Sequence, residues 1–191
     1  MKLFLTAALL FTASFASAQT EPPYHAGLIV TVTDDTISCL VPMISAFGTA
    51  VLTKKIQDGP YDTIPVSKIK YLANGTNVYE TVSFNTTAGM LQKLMWLQEE
   101  GKINLYEEYH FDDDDKKRVY GTGGTWTFNG NPIRICVIRK NNQTYLLSDK
   151  YFQDIVGPMV ADKPAVAAKV ISKTYTLKNV DTMVEEYNAG E

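Results

Sequence analysis

Apolar and polar positions alternate along most of this chain, the signature of strands with one face buried. Leu28, Val30 and Val32 fall on one face of an extended segment, and Ile37, Cys39 and Val41 do the same after the polar Asp34-Asp35 pair. That break predicts a β-hairpin with a tight turn over Gly27–Val41, because Asp bonds its own downstream backbone and visits left-handed conformations at modest cost. A third strand is expected within Phe47–Ile56, stopped by Asp58-Gly59-Pro60. Ile64-Pro65 opens another piece with Val66 and Ile69 facing inward, and Lys68–Leu72 pairs with Val78–Phe84 across Asn74-Gly75.

Between Thr87 and Glu100 the pattern changes. Leu91, Leu94, Met95 and Gln98 lie at helical spacing, Thr87 can cap the start and Gly101 can stop it, so a helix is expected over residues 88–100. The competing strand would alternate Leu91, Lys93, Met95 and Leu97. Alternation resumes at Ile103–Phe111, at Val119-Tyr120 and Thr125–Phe128 around a glycine-rich run, and in a last hairpin, Ile133–Arg139 with Thr144–Leu147 across Asn141-Asn142.

From Ser148 the period lengthens. Ser148 or Asp149 can cap a helix bearing Tyr151, Phe152, Ile155 and Val156, which Gly157-Pro158 ends or kinks. Pro164 suits the first turn of a second helix through Val170, and Thr176–Tyr187 presents Leu177, Val180, Val184 and Tyr187 as the buried stripe of a third. Strands first and helices last predict an α+β fold. Its expected form is an antiparallel β-rich sheet or partly open barrel, with one mid-chain helix and a helical C-terminal part over residues 148–188.

The first residues change the picture of where the protein works. Met1-Lys2, a mostly apolar Leu3–Phe15 and Ala16-Ser17-Ala18 have the pattern of a secretory signal peptide, 1–18, with cleavage after Ala18. The apolar run is short for a ~20-residue membrane span, and no later run is longer, so no transmembrane segment is expected in the mature chain. Residues 19–26, with Pro22-Pro23, read as a flexible entry segment, and 27–191 as a single domain. The expectation is an exported protein, periplasmic or extracellular. Removing the leader takes the net charge from −3 to −4, which offers nothing to nucleic acid. A chain of this length buries roughly 70% of its unfolded surface and needs no disulfide framework. Cys39 and Cys136 could form one bridge in an oxidising compartment, and the simpler reading is two buried thiols.

Several fragments together resemble a family. Gly27-x-Ile29-x-Thr31 with Asp35-Thr36-Ile37, then Glu100-Gly101-Lys102-x-x-Leu105-Tyr106, then Asp162-Lys163-Pro164, then Glu186-Tyr187-Asn188 fall in the order seen in a widespread set of small exported proteins of Gram-negative bacteria with no assigned activity. Members often carry Gly where this chain has Asp34 and Cys39, and Cys where it has Lys163. The resemblance implies one exported β-rich unit with a helical C-terminal part, and it brings no catalytic residue.

Candidate chemistry centres on Glu107-Glu108-Tyr109-His110-Phe111 leading into Asp112–Asp115. On a strand Glu108 and His110 share a face, and Asp112 could fold back to complete a metal or acid/base cluster. The loop is no EF-hand, since Lys117 stands where the sharp-turn Gly belongs. A solvated strand end with an acidic tip accounts for the same residues. Gly121-Thr122-Gly123-Gly124 lacks the Lys and following helix of a phosphate loop. No Gly-x-Ser-x-Gly elbow is present. Tyr106, Tyr109, Trp126 and Phe128 could line one sheet face and stack on sugars or clamp a peptide, although aromatic strands are also ordinary core-formers.

The leading expectation is therefore a non-enzymatic exported protein that binds an envelope protein partner or a surface glycan, with no cofactor. The alternatives are a carboxylate- or metal-dependent hydrolase built on Glu108, His110 and Asp112, and a structural accessory of an envelope complex.

Overall fold

The computed structural model describes residues 24–42, 48–56, 59–110, 118–120, 126–128 and 133–189. The strands are β1 (Tyr24–Thr31), β2 (Thr36–Pro42), β3 (Ala50–Lys54), β4 (Tyr61–Pro65), β5 (Ile69–Asn74), β6 (Asn77–Thr86), β7 (Gly89–Glu99) and β8 (Asn104–His110). Short β9 (Arg118–Tyr120) and β10 (Trp126–Phe128) precede β11 (Ile133–Lys140) and β12 (Gln143–Leu146), and the chain ends in α1 (Phe152–Met159), α2 (Pro164–Ile171) and α3 (Val180–Asn188). Ten strands form one antiparallel sheet, in the order β12-β11-β8-β7-β6-β5-β1-β2-β3-β4, while β9 and β10 pair as a separate ribbon. The sheet curls into a half-barrel, which brings edge strand β12 against β6.

The opening hairpin forms as its pattern predicts. Its loop has three residues: the Thr31 N–H donates to the Asp35 carbonyl at 2.9 Å, the Asp34 N–H donates to the Thr31 carbonyl at 3.0 Å, and Asp34 takes the left-handed position at φ 62°. Pairing extends back through Gly27–Cys39 and His25–Val41 to Tyr24–Pro42. Tyr24, His25 and Ala26 thus belong to the sheet, not to a flexible entry segment. The β5–β6 turn carries its positive φ at Gly75 (63°), and β11–β12 turns on Asn141 and Asn142, both left-handed. Asn accepts that region at low cost.

The mid-chain helix is not there. Residues 89–99 form β7, in the interior of the sheet between β6 and β8. Both faces of such a strand are covered, so adjacent residues are buried together: Leu94 enters one core and Met95 another. An adjacent buried pair flanked by Leu91 and Gln98 imitates helical spacing. Thr87-Ala88 closes the β6–β7 hairpin instead of capping a helix, with Thr86 Oγ1 donating to the Gly89 carbonyl at 2.8 Å.

Register carries one row of side chains across the sheet: Ile29, Leu72, Tyr79, Trp96, Glu107 and Cys136. Toward β1 this face encloses a core of Ile29, Cys39, Val41, Val51, Ile69 and Leu72, roofed by Val66 in the 3₁₀ turn Val66–Lys68. Toward β11 the same face is covered by the helices, which bury Phe152, Val156, Val166, Val180, Val184 and Tyr187 against Ile103, Leu105, Cys136 and Ile138. The opposite face holds a third core where the sheet curls, with Val82, Phe84, Met95, Tyr106 and Val137.

The helical part needs smaller corrections. No side chain caps α1; the Ser148 carbonyl accepts from the Tyr151 N–H at 3.2 Å, and α1 continues through Pro158 to Met159. Pro164 opens α2. Thr176 and Asn179 form a capping box on the 3₁₀ turn Leu177–Asn179, which runs into α3. Among the described residues no helix is long and apolar enough to cross a membrane.

Candidate functional site

Strand β8 carries the acids singled out in the sequence, and its pleat sends neighbours to opposite faces. Glu107 and Glu108 are both 2% exposed. Glu107 lies on the helix-covered face, where Arg134 holds it with two guanidinium nitrogens (Nε at 3.0 Å) and the Tyr109 hydroxyl donates to it at 3.0 Å. Arg134 Nη1 also reaches the Leu177 and Lys178 carbonyls at 3.5 Å, linking the sheet to the turn before α3. Glu108 faces the other way and is ion-paired with Lys93. The His110 side chain and Asp112 lie outside the described residues, and among those described no three His, Cys, Asp or Glu side chains gather as a metal-binding group. What the strand displays is two buried carboxylates, each matched by a cation, as burial of charge requires.

The single aromatic face expected from the sequence is not assembled by its first two members. Tyr106 is fully buried in the curled part of the sheet, and Tyr109 points to the opposite face. Tyr106 donates to Glu80 Oε2 at 2.6 Å, and Arg139 pairs with the same oxygen at 2.7 Å while stacking over the ring. Burial, then the hydrogen bond to Glu80, holds the phenol well above its ordinary pKa, so it stays protonated. The Trp126 and Phe128 side chains lie outside the described residues.

Cys39 and Cys136 are free thiols buried in different cores, so the candidate bridge is not formed. Burial pushes the Cys136 thiol up to about 11. A thiol held protonated is a poor nucleophile.

Three of the fragments quoted above meet in space, and what they build is a clasp. Asn188, at the end of α3, accepts from the Ile103 N–H at 3.2 Å and donates to the Ile103 carbonyl at 2.9 Å, pairing with the backbone as a strand would. A Cβ at Gly101 would lie 2.5 Å from the Asn188 amide, so a side chain there would push that amide off its bonds to Ile103. The Tyr187 hydroxyl donates to Asp162 Oδ2 at 2.6 Å, Lys140 bonds Asp162 at 2.9 Å and the Tyr187 hydroxyl at 2.6 Å, and Lys163 reaches the Tyr187 carbonyl. The bonds from Tyr187 and then Lys140 lower the Asp162 carboxyl to about 2. Lys169 and Tyr175 bind Glu186 beside it. The Asn188 and Lys140 bonds fasten the helices to the sheet, and the others fasten the helices to one another.

An apolar-lined hollow lies elsewhere in the sheet, away from these contacts. A groove of about 440 Å³ opens between β2 and the β3–β4 hairpin. Ile37, Cys39, Ile64 and Pro65 give it an apolar lining, and Lys55, Lys68 and Asp62 stand at its rim. Thr53 also lines it, only 3% exposed, and its hydroxyl has no hydrogen-bond partner among the described residues. The groove lies where, among the described residues, β2 pairs with β3 at Leu40 and Lys54 only, so no described residue pairs with the earlier part of β2 on that side. Sequence reading missed this place. Its one local signal is that Thr36-Ile37-Ser38-Cys39 carries neither charge nor proline, the usual protections of an open strand edge.

A second hollow of about 300 Å³ lies between the β11–β12 turn and α1, bordered by Asn141, Gln143, Tyr145 and Asp154. Lys140 on its wall is already bonded to Asp162 and Tyr187. Comparison with family models, curated proteins and solved structures finds no match to this chain.

Proposed function

We propose that this chain is a non-enzymatic exported binding protein, and that the groove beside β2 holds part of another envelope protein. The observation that carries the reading is the groove itself: an apolar floor, a buried hydroxyl without a partner among the described residues, and charged rims, gathered at a break in strand pairing. Ligand sites combine apolar lining with a few polar groups in this way. The leader pattern of Met1–Ala18 supports export. The buried acids of β8 support a non-catalytic reading, because each is already paired with a cation.

The test is capture from a bacterial envelope extract by tagged protein, run beside Ile37→Trp, which fills the groove at a side chain already 37% exposed. A protein retained by the wild type and lost with Ile37→Trp supports the reading. Equal retention by both, or retention of nothing but glycan on an array, contradicts it.

A further inference from the structure

We propose that the occupant of this groove is an extended, acidic segment of the partner protein, added as a strand along the part of β2 whose outer side no described residue pairs with. The inference rests on the reading of the groove as a binding site and names how it binds.

Hydrogen-bond alternation in the first hairpin fixes which way the edge points. The Thr31 N–H donates to Asp35, so Thr31 and Asp35 form a hydrogen-bonded pair, and Ile29–Ile37 and Gly27–Cys39 repeat it at intervals of two. Antiparallel pairs alternate, so Thr36 and Ser38 turn their N–H and C=O groups away from β1. On that outer side β2 meets β3 only at Leu40, and no described residue pairs with Thr36 or Ser38 there. Two backbone positions at strand spacing, without a partner among the described residues, are complementary to another polypeptide backbone, and strand addition is the recognition mode that uses them.

Side chains around the edge agree. Ile37 and Cys39 sit two residues apart and face the groove with Ile64 across from them, giving alternate pockets for the side chains of an added strand. The Thr53 hydroxyl offers a buried polar contact that the protein itself leaves unused among the described residues. Lys55 and Lys68 outnumber Asp62 on the rim, which favours a carboxylate on the incoming segment. A sugar would call for an aromatic platform, and the described lining holds no aromatic ring.

The experiment uses the 15N-labelled protein and an acetylated, amidated peptide, Glu-Val-Thr-Val-Glu-Val-Thr-Val-Glu. Two copies of that peptide, each N-methylated on one alternate set of amides, and chitohexaose complete the set. The expected result is saturable shifts of the Thr36, Ser38 and Thr53 amides with the first peptide, lost with at least one methylated copy. Affinity should fall about tenfold or more in the exposed double variant Lys55→Glu, Lys68→Glu. Undiminished binding of both methylated peptides, or chitohexaose shifting these amides in place of the peptide, overturns strand addition and leaves the groove a binding site. Silence of these amides with every probe overturns it as well, and if Ile37→Trp also leaves envelope capture unchanged, the binding-site reading falls with it.

Discussion

Arg134 shows how a residue that looks chemical can be structural. Its guanidinium neutralises Glu107, whose side chain is almost fully removed from water. Replacing it with Met should cost ~3–5 kcal/mol, because a buried carboxylate would then lack its countercharge. Pairing that change with Glu107→Gln should recover a large part of the loss, which urea titration of the single and double variants would measure. Asn188 and Gly101 form a second coupled pair. Asn188→Ala removes two backbone hydrogen bonds and should cost ~2 kcal/mol. Gly101→Ala should cost ~1–3 kcal/mol, since its methyl would collide with the Asn188 amide. In the double variant the collision disappears, so the two costs should sum to more than the observed loss.

At the scale of elements, β7 is where pattern and structure part. Leu94 is 1% exposed, and Leu94→Ala should destabilise by ~2–5 kcal/mol; the same loss is expected for Met95→Ala, which is also 1% exposed but lies in a different core. A helix with one buried stripe would place both in the same core, so separate cores are the mark of a strand covered on both faces. The two hairpins β1–β2 and β11–β12 were legible because short loops force local pairing and Asp34, Asn141 and Asn142 suit left-handed positions. The three C-terminal helices were legible from the spacing of Val180, Val184 and Tyr187 and from Pro164. What local pattern could not carry was the curl of the sheet. It decides that β12 approaches β6, that Tyr106 is core and not surface, and that β2 and β3 pair at a single position among the described residues. The groove follows from that missing pairing, so its residues are scattered from Ile37 to Lys68 with no motif to join them.

Across the whole molecule the clasp and the groove involve different residues. At the helical end, Asp162 ties α3 to β11 through Tyr187 and Lys140, and its folded-state carboxyl is lowered to about 2 from 3.8. The folded form therefore binds fewer protons than the unfolded form between those values. Stability from this group is fully present above about pH 4 and is lost as pH falls through 2. Glu186, lowered by Lys169 and Tyr175, acts in the same direction. The thermal unfolding temperature should therefore fall on acidification through that window, and Asp162→Asn should flatten the dependence; an unchanged slope would contradict the clasp. The groove end lies apart from these contacts, so Asp162→Asn should leave peptide binding there unaltered.

The measurement that bears most directly on the account is photo-crosslinking in envelope extract with benzoylphenylalanine placed at Ile37, which lines the groove on β2, and at Ile171 on the exposed end of α2. The account predicts a discrete protein adduct from position 37, competed by the acidic peptide, and none from position 171. No adduct at 37, or the same adducts from both positions, would contradict it.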